Sequence, residues 1–260
     1  MSSETVSLDV IGNVGKITLN RPAVFNSFNK EMAMATQAAL DECATNSTVR
    51  SILITAEGKA FCAGQDLQEA IDPDGPDIKK IVLEHYNPII RRLRTIEKPI
   101  ICAVNGVAAG AGANVALAAD IVVAKKSAVF VQAFSSIGLI PDSGGTYILP
   151  RLIGWQKAAA LMMLADKVDA MEAERIGMIY KWFEDESFEA DAMKIAEKLA
   201  RLPTKGLGYT KRLLNASFHN ALEDQLTEEA EVQAHAAATS DFKEGVQAFL
   251  DKRRPNFTGE

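Results

Sequence analysis

Cysteine is nearly missing from these 260 residues. There are three, Cys43, Cys62 and Cys102, an odd number at no zinc-like spacing. That excludes a disulfide framework and points to a reducing, cytoplasmic setting. Histidine is as scarce: His85, His219 and His235 stand far apart in no ligating pattern, so no metal is expected. Positive charge is not in excess. With 28 Lys and Arg against 34 Asp and Glu, the net charge of -6 lacks the basic footprint of a nucleic-acid binder. No run approaches twenty apolar residues, and the opening "MSSETVSLDV" has no basic-then-apolar order, so neither a membrane span nor an export signal is expected.

What is present is enough apolar sequence, 48% of the chain, to bury a sizeable core in one large domain. "VSLDVIG" and "KITLN" read as a hairpin, and "SILITA", "KPIICAVNG" and "IVVAKK" as buried strands. "NKEMAMATQAALDECATN" has helical spacing with Asn29 as its cap. "KAFCAGQDLQEA" turns through Gly64 into a helix, and "AGANVALAAD" is a small apolar helix. "IDPDGPD" (71–77) reads as a mobile lid or loop. "IKKIVLEHYNPIIRRLRTI" reads as an amphipathic helix that Pro88 bends or breaks. The recurring order of strand, glycine turn and helix implies an α/β fold. After Pro150 the pattern reads as helical throughout. The expected organisation is one continuous domain, with residues 1–200 as an α/β core and 201–260 as a helical segment. The alanine- and leucine-rich last helices suit packing against neighbouring subunits.

Two glycine turns, "CAGQDL" and "GVAAGAGANVAL", each follow a buried strand and open a helix. Helix starts leave N–H groups without partners, so two such turns can aim two donors at one oxygen. Tight helix–strand packing explains the same glycines equally well. A dinucleotide fingerprint begins at Gly110 and Gly112 but fails at Val115, and Asp120 comes too early to serve a ribose. One acid stands out: Asp142 in "SSIGLIPDSGGTYILP", between a proline and a Ser-Gly-Gly turn with apolar flanks. It reads as a helix cap or as a general base at a pocket mouth.

"LNRPAVFNSFN", "GKAFCAGQDL", "KPIICAVNGVAAGAGANVALAADIVVA" and "FVQAFSSIGLIPDSGGTYILPRLIG" together resemble the enoyl-CoA hydratase/isomerase (crotonase) family, in order and over nearly the whole chain. The resemblance implies a spiral of repeated ββα units with C-terminal helices that build trimers, or hexamers from paired trimers. It implies an acyl-CoA thioester as substrate, with coenzyme A part of that substrate and no separate cofactor. By the same resemblance the thioester oxygen is held by the N–H groups of Gln65 and Ala111, an alanine where the family usually has glycine. Val24, Ala63, Asp66, Leu67 and Gln68 line the coenzyme site. Phe249 and Lys252 reach its nucleotide end, from a neighbouring subunit, although "KRR" at 252–254 also suits a helix C-terminus. Tyr86 and His85 line the acyl pocket, or are simply packed.

The two glutamates of the family's hydratases fall at Asn114 and Phe134, so hydration is not expected. The "GLIPDSGG" setting resembles the family's isomerases, in particular those acting on ring-epoxidised phenylacetyl thioesters, and makes Asp142 the acid/base. The alternatives are a general 3-enoyl to 2-enoyl-CoA isomerase, an aspartate-nucleophile dehalogenase and a non-catalytic acyl-CoA-binding homologue.

Overall fold

A computed structural model describes residues 4–260. Two sheets form the frame. The larger has the order β1 (Val6–Ile11), β2 (Val14–Leu19), β3 (Ser51–Ala56), β5 (Ile100–Val104), β7 (Ile121–Lys125) and β10 (Lys181–Phe183). Only the β1–β2 hairpin is antiparallel; the other pairings are parallel. The smaller sheet has the order β4 (Ala60–Cys62), β6 (Val107–Ala109), β8 (Val129–Val131) and β9 (Lys167–Asp169), with β9 antiparallel. Three successive strand pairs, β3/β4, β5/β6 and β7/β8, each place one strand in the large sheet and the next in the small one. That is the repeated unit expected from the sequence.

The helices are α1 (Lys30–Thr45), α2 (Leu67–Ala70), α3 (Ile78–Lys80), α4 (Asn87–Thr95), α5 (Ala111–Leu117), α6 (Gly145–Ile153), α7 (Trp155–Leu164), α8 (Ala170–Arg175), α9 (Phe188–Ala200), α10 (Thr204–Ala216), α11 (Leu222–Ala237) and α12 (Ser240–Leu250). The central strands β3 and β5 are covered on both faces, which explains why they are apolar almost throughout, whereas the edge strand β1 is half exposed and carries Ser7 and Asp9. Successive side chains alternate. Ile52, Ile54, Ile100, Cys102 and Val104 enter one core, whereas Leu53, Ile101 and Ala103 enter the other. In the first core α1 presents Met32, Ala33, Thr36, Ala39, Leu40 and Cys43 at helical spacing. In the second α9 presents Phe188, Ala192, Ala196 and Ala200, an alanine stripe that lets the helix lie close to the strands. Each large aliphatic side chain so buried contributes roughly 1.5–3 kcal/mol. Burial also pushes the thiols up, Cys43 to about 11 and Cys62 to about 12, so these cysteines act as small apolar groups.

The expected cap on the first long helix is present. Asn29 caps α1 by accepting from Met32 N at 3.0 Å. Residues 71–77 form a compact turn closed by Gly75 N and Asp74 N on Asp72. Two expectations are corrected. The chain after Pro150 is not all helical, because β9 and β10 each add an edge to a sheet. Pro150 itself lies inside α6. Pro88 does not break its helix either. A π turn over Ile81–Tyr86 precedes it, and the run from α3 through α4 continues past the proline. The wider winding absorbs the hydrogen bond that proline cannot make. Among the described residues no helix is long and apolar enough to cross a membrane, and no group of three or more His, Cys, Asp or Glu could hold a metal ion.

Candidate active site

The three parallel strands of the small sheet end on the same side, where ligands of parallel sheets usually bind. β4 runs into residues 63–66 and α2, β6 into Gly110 and α5, and β8 toward the Asp142 segment and α6. The first two turns touch. Gly64 has φ +98, and a Cβ there would lie 3.1 Å from Ala109 O and 3.6 Å from Ala111 N. Glycine at 64 is therefore required both by its left-handed backbone and by the approach of the second turn. Gly112 is required by packing alone, since a Cβ would run into the backbone and side chain of Cys62.

The donors follow from this geometry. Phe28 pairs with Gln65 as an isolated parallel bridge, with Phe28 N donating to Gly64 O at 2.7 Å and Asp66 N donating to Phe28 O at 2.8 Å. In extended chain the N–H of Gln65 therefore faces away from Phe28. Ala111 is the first residue of α5, so its N–H has no acceptor within the helix.

The side chain of Gln65 is held at both ends. Its Oε1 accepts from the Tyr86 hydroxyl at 2.7 Å, and its Nε2 donates to Glu69 Oε2 at 2.9 Å. Glu69 Oε1 in turn accepts from Lys30 N at 2.8 Å. Tyr86 is buried, stacked edge-on to Phe28 at 5.7 Å, and its phenol is pushed well up by burial, then by Cys62 and Asp142. His85 beside it is buried on the same π turn and its pKa is lowered by burial. Asp66 caps α2 and pairs with Arg21 at 3.0 Å.

Asp142 is half-buried, and burial raises its pKa above the ordinary carboxylate range, against the pull of the Ser143 hydroxyl, which donates to Oδ1 at 2.8 Å. Its backbone carbonyl accepts from Gly145 N and from Asn114 Nδ2, both at 2.9 Å. Asp142 is not an N-cap: α6 begins at Gly145 and its cap position is Gly144, with no side-chain cap bond. Phe134 is buried, its ring 3.8 Å from where a Cβ of Gly110 would sit, and lines the site with hydrocarbon.

The structure thus gathers Gln65, Ala111, Ala63, Asp66, Leu67, Gln68 and Tyr86 around the paired turns. Val24 is the chain neighbour of Phe25, whose carbonyl accepts from Ala63 N at 3.0 Å, and is itself exposed. Phe249 and Lys252 are elsewhere. Phe249 lies on α12, exposed at a cavity of about 470 Å³ shared with Phe242, Val246 and Phe257, and Lys252 follows with φ +54. Sequence reasoning missed Glu69, Ser143 and Gln132. For Glu69 a signal existed, since it stands four residues beyond Gln65 in the first turn of the helix that the glycine turn opens.

Comparison with known proteins places the chain in a class of acyl-CoA enzymes. Residues 10–260 match the family described as Enoyl-CoA hydratase/isomerase, and the chain belongs to that family. It is 47% identical over 247 residues to 1,2-epoxyphenylacetyl-CoA isomerase of Escherichia coli (strain K12), covering 94% of each chain. It is 42% identical over 259 residues to a Rhodobacter capsulatus protein named a probable enoyl-CoA hydratase, covering 100% of each. A crystal structure of an enoyl-CoA hydratase/isomerase from Mycobacterium abscessus superposes with a TM-score of 0.93 at 37% identity, over 98% of this chain and 100% of that one.

Proposed function

We propose that Asp142 shuttles one proton along an acyl-CoA thioester whose oxygen is held by the N–H groups of Gln65 and Ala111, and that the substrate is ring-1,2-epoxyphenylacetyl-CoA. The observation that carries this is the uncommitted state of Asp142. Asp66 is tied to Arg21, and Glu69 to Gln65 and Lys30 N. Asp142 has no cation on its carboxyl, only the Ser143 hydroxyl and its own backbone N–H, and its pKa is raised. A carboxyl shielded from water and free of a cation suits a base that must take a proton and return it. Asn114 and Phe134 cannot activate water, so the geometry favours isomerisation over hydration.

In this reading Asp142 removes the proton α to the thioester carbonyl, and charge moves to the thioester oxygen. With a ring epoxide the bond between the two epoxide carbons opens, and the proton returns to a ring carbon of the resulting oxepin. Reactant and product are isomers, so nothing else is consumed. The pKa gap between a thioester α-proton and an aspartate is worth on the order of 20 kcal/mol. Two oxyanion donors contribute about 3–4 kcal/mol each. The remainder has to come from the raised basicity of Asp142 and from delocalisation in the substrate. That favours an activated ring system over a simple acyl chain, in line with the epoxide-isomerase relative.

The test compares ring-epoxidised phenylacetyl-CoA with a trans-3-enoyl-CoA, using wild type and Asp142→Asn. The epoxide is expected to turn over with the higher kcat/KM, and the variant to lose about 10²–10⁴-fold in kcat. Equal or better use of the aliphatic thioester would move the assignment to a general 3-enoyl to 2-enoyl-CoA isomerase. The same proposal extends to assembly. Phe249 and Lys252 would meet the nucleotide end of the coenzyme across a trimer contact, which sedimentation as a monomer would remove.

A further inference from the structure

We propose that the buried carboxamides of Asn114 and Gln132 form a relay that positions Asp142, so that Asn114 serves isomerisation as a positioning residue without touching substrate. The inference rests on the reading of Asp142 as the proton shuttle. Asn114 and Gln132 are 1% and 4% exposed. Gln132 Nε2 donates to Asn114 Oδ1 at 2.8 Å, and Asn114 Nδ2 donates to Asp142 O at 2.9 Å. A main-chain carbonyl can only accept, which fixes the orientation of both amides. Gln132 Oε1 is left buried with no partner, so the donors run one way, from Gln132 through Asn114 to Asp142. Leaving a buried acceptor unpaired costs free energy, which the sequence carries in order to keep the second amide there.

The segment at the end of this relay is strained. Ser143 has φ +51 and Gly144 φ +73, two consecutive left-handed residues of which the first is not glycine. Such a conformation persists only where its surroundings impose it. Asn114 does so from two sides: it bonds the carbonyl of Asp142, and its carboxamide fills the space that a Cβ of Gly145 would need. It also lies one helical turn from Ala111 on the same face of α5. One short helix therefore sets both an oxyanion donor and the anchor of the base. Neither carboxamide titrates, so the anchor is the same at every pH.

Without Asn114 the turn at 142–144 relaxes and the carboxyl gains water. Of the elements around it, α5, β8 and residues 132–134 carry no ionisable side chain; the π turn carries Glu84, the buried His85 and Tyr86, whose phenol is pushed far up, and α6 carries Tyr147 and Arg151, but none of these charges is among the causes of the Asp142 shift.

The experiment measures kcat, KM, the pH dependence of kcat and Tm for Asn114→Ala, Gln132→Met and Asp142→Asn, on whichever of ring-epoxidised phenylacetyl-CoA and trans-3-enoyl-CoA turns over. Asn114→Ala is expected to lose about 10–100-fold in kcat with KM within about threefold. Its acidic limb should move down toward the ordinary carboxylate range, and Gln132→Met should follow with about a 3–10-fold loss. A kcat for Asn114→Ala within twofold of wild type, with Asp142→Asn inactive, overturns the relay and leaves the proton shuttle standing. A reduced kcat with an unmoved acidic limb marks packing damage and overturns it as well. If Asn114→Ala does not fold, an unaltered kcat in Gln132→Met overturns it. Full activity in Asp142→Asn removes the underlying reading instead.

Discussion

A carboxyl kept partly out of water is a cost to the fold wherever it is ionised, and Asp142 bears that cost. Its folded pKa is raised, mainly by burial. The folded state therefore holds this proton more tightly than the unfolded chain does. The penalty is absent below the unfolded value of about 3.9, grows as pH rises through the folded pKa, and is complete above it. Asp142→Asn should consequently raise Tm at pH 7, with the gain fading toward pH 3.5, while cutting kcat about 10²–10⁴-fold. Calorimetry at both pH values checks the sign. A lower Tm at neutral pH would mean that the carboxylate is held by a favourable partner rather than by exclusion of water. The catalytic profile has the complementary sign. A base must be deprotonated, so kcat should fall as pH drops through a midpoint above the usual carboxylate range. Activity and stability are then opposed at one atom, as they often are where a site is built for reactivity.

The helix α5 transmits position from the small sheet to both halves of the site, so its seating on β4 matters more than its length. Gly112 lies against Cys62 with no room for a methyl group. In an open helix Gly→Ala stabilises by roughly 0.5–1 kcal/mol. Here Gly112→Ala must push α5 off β4 and carry the N–H of Ala111 away from that of Gln65. A loss of about 1–3 kcal/mol in urea unfolding is expected, with a fall in kcat/KM on the order of 100-fold. A stabilised, fully active variant would mean that the contact is not tight. Such seating also explains what the sequence could and could not tell. "SILITA" and "KPIICAVNG" are legible because a strand buried on both faces is apolar throughout. "AFC", "VAA", "KVD" and "KWF" are too short to alternate, and their partners are distant in the chain. The last two were therefore lost among helical stretches. Asp142 was visible as an acid with two possible jobs, and the cap at Gly144 excludes one of them. Its anchor was not visible, because Asn114 lies 28 residues away and only the fold brings the pair together.

The C-terminal helices meet the rest of the molecule through a few polar ties, and these decide whether the chain behaves as one body. Arg50 donates to Thr204 Oγ1 at 2.9 Å, Leu202 O at 2.7 Å and Phe257 O at 2.6 Å, joining the start of β3 to α10 and the tail. α10 lies close on the strand-entry turn, where a Cβ on Gly208 would meet the backbone of Glu97. Beyond it α11 buries only Val232 among its residues, so α11 adds little apolar burial within the chain itself. A charged tie joins Lys211 Nζ to Asp120 Oδ2 at 2.9 Å, with the lysine side chain 7% and the aspartate side chain 19% exposed. Burial dominates both shifts, lowering the lysine and raising the aspartate, so each ion is tolerated because the other is there. Asp120 also accepts from Ile100 N at 2.8 Å, which ties the pair to β5. Lys211→Met should cost about 1–3 kcal/mol, because it leaves a partly buried carboxylate with only the Ile100 N–H and the nearby Arg94 to hold its charge. Adding Asp120→Asn keeps an acceptor for Ile100 N and removes the stranded charge, so the double variant should regain at least half of that loss. Urea denaturation of the two single variants and the double variant measures this directly. Should the double variant fall as far as Lys211→Met alone, the docking of α10 would depend on the shape of the lysine side chain, and the ion pair would be incidental to it.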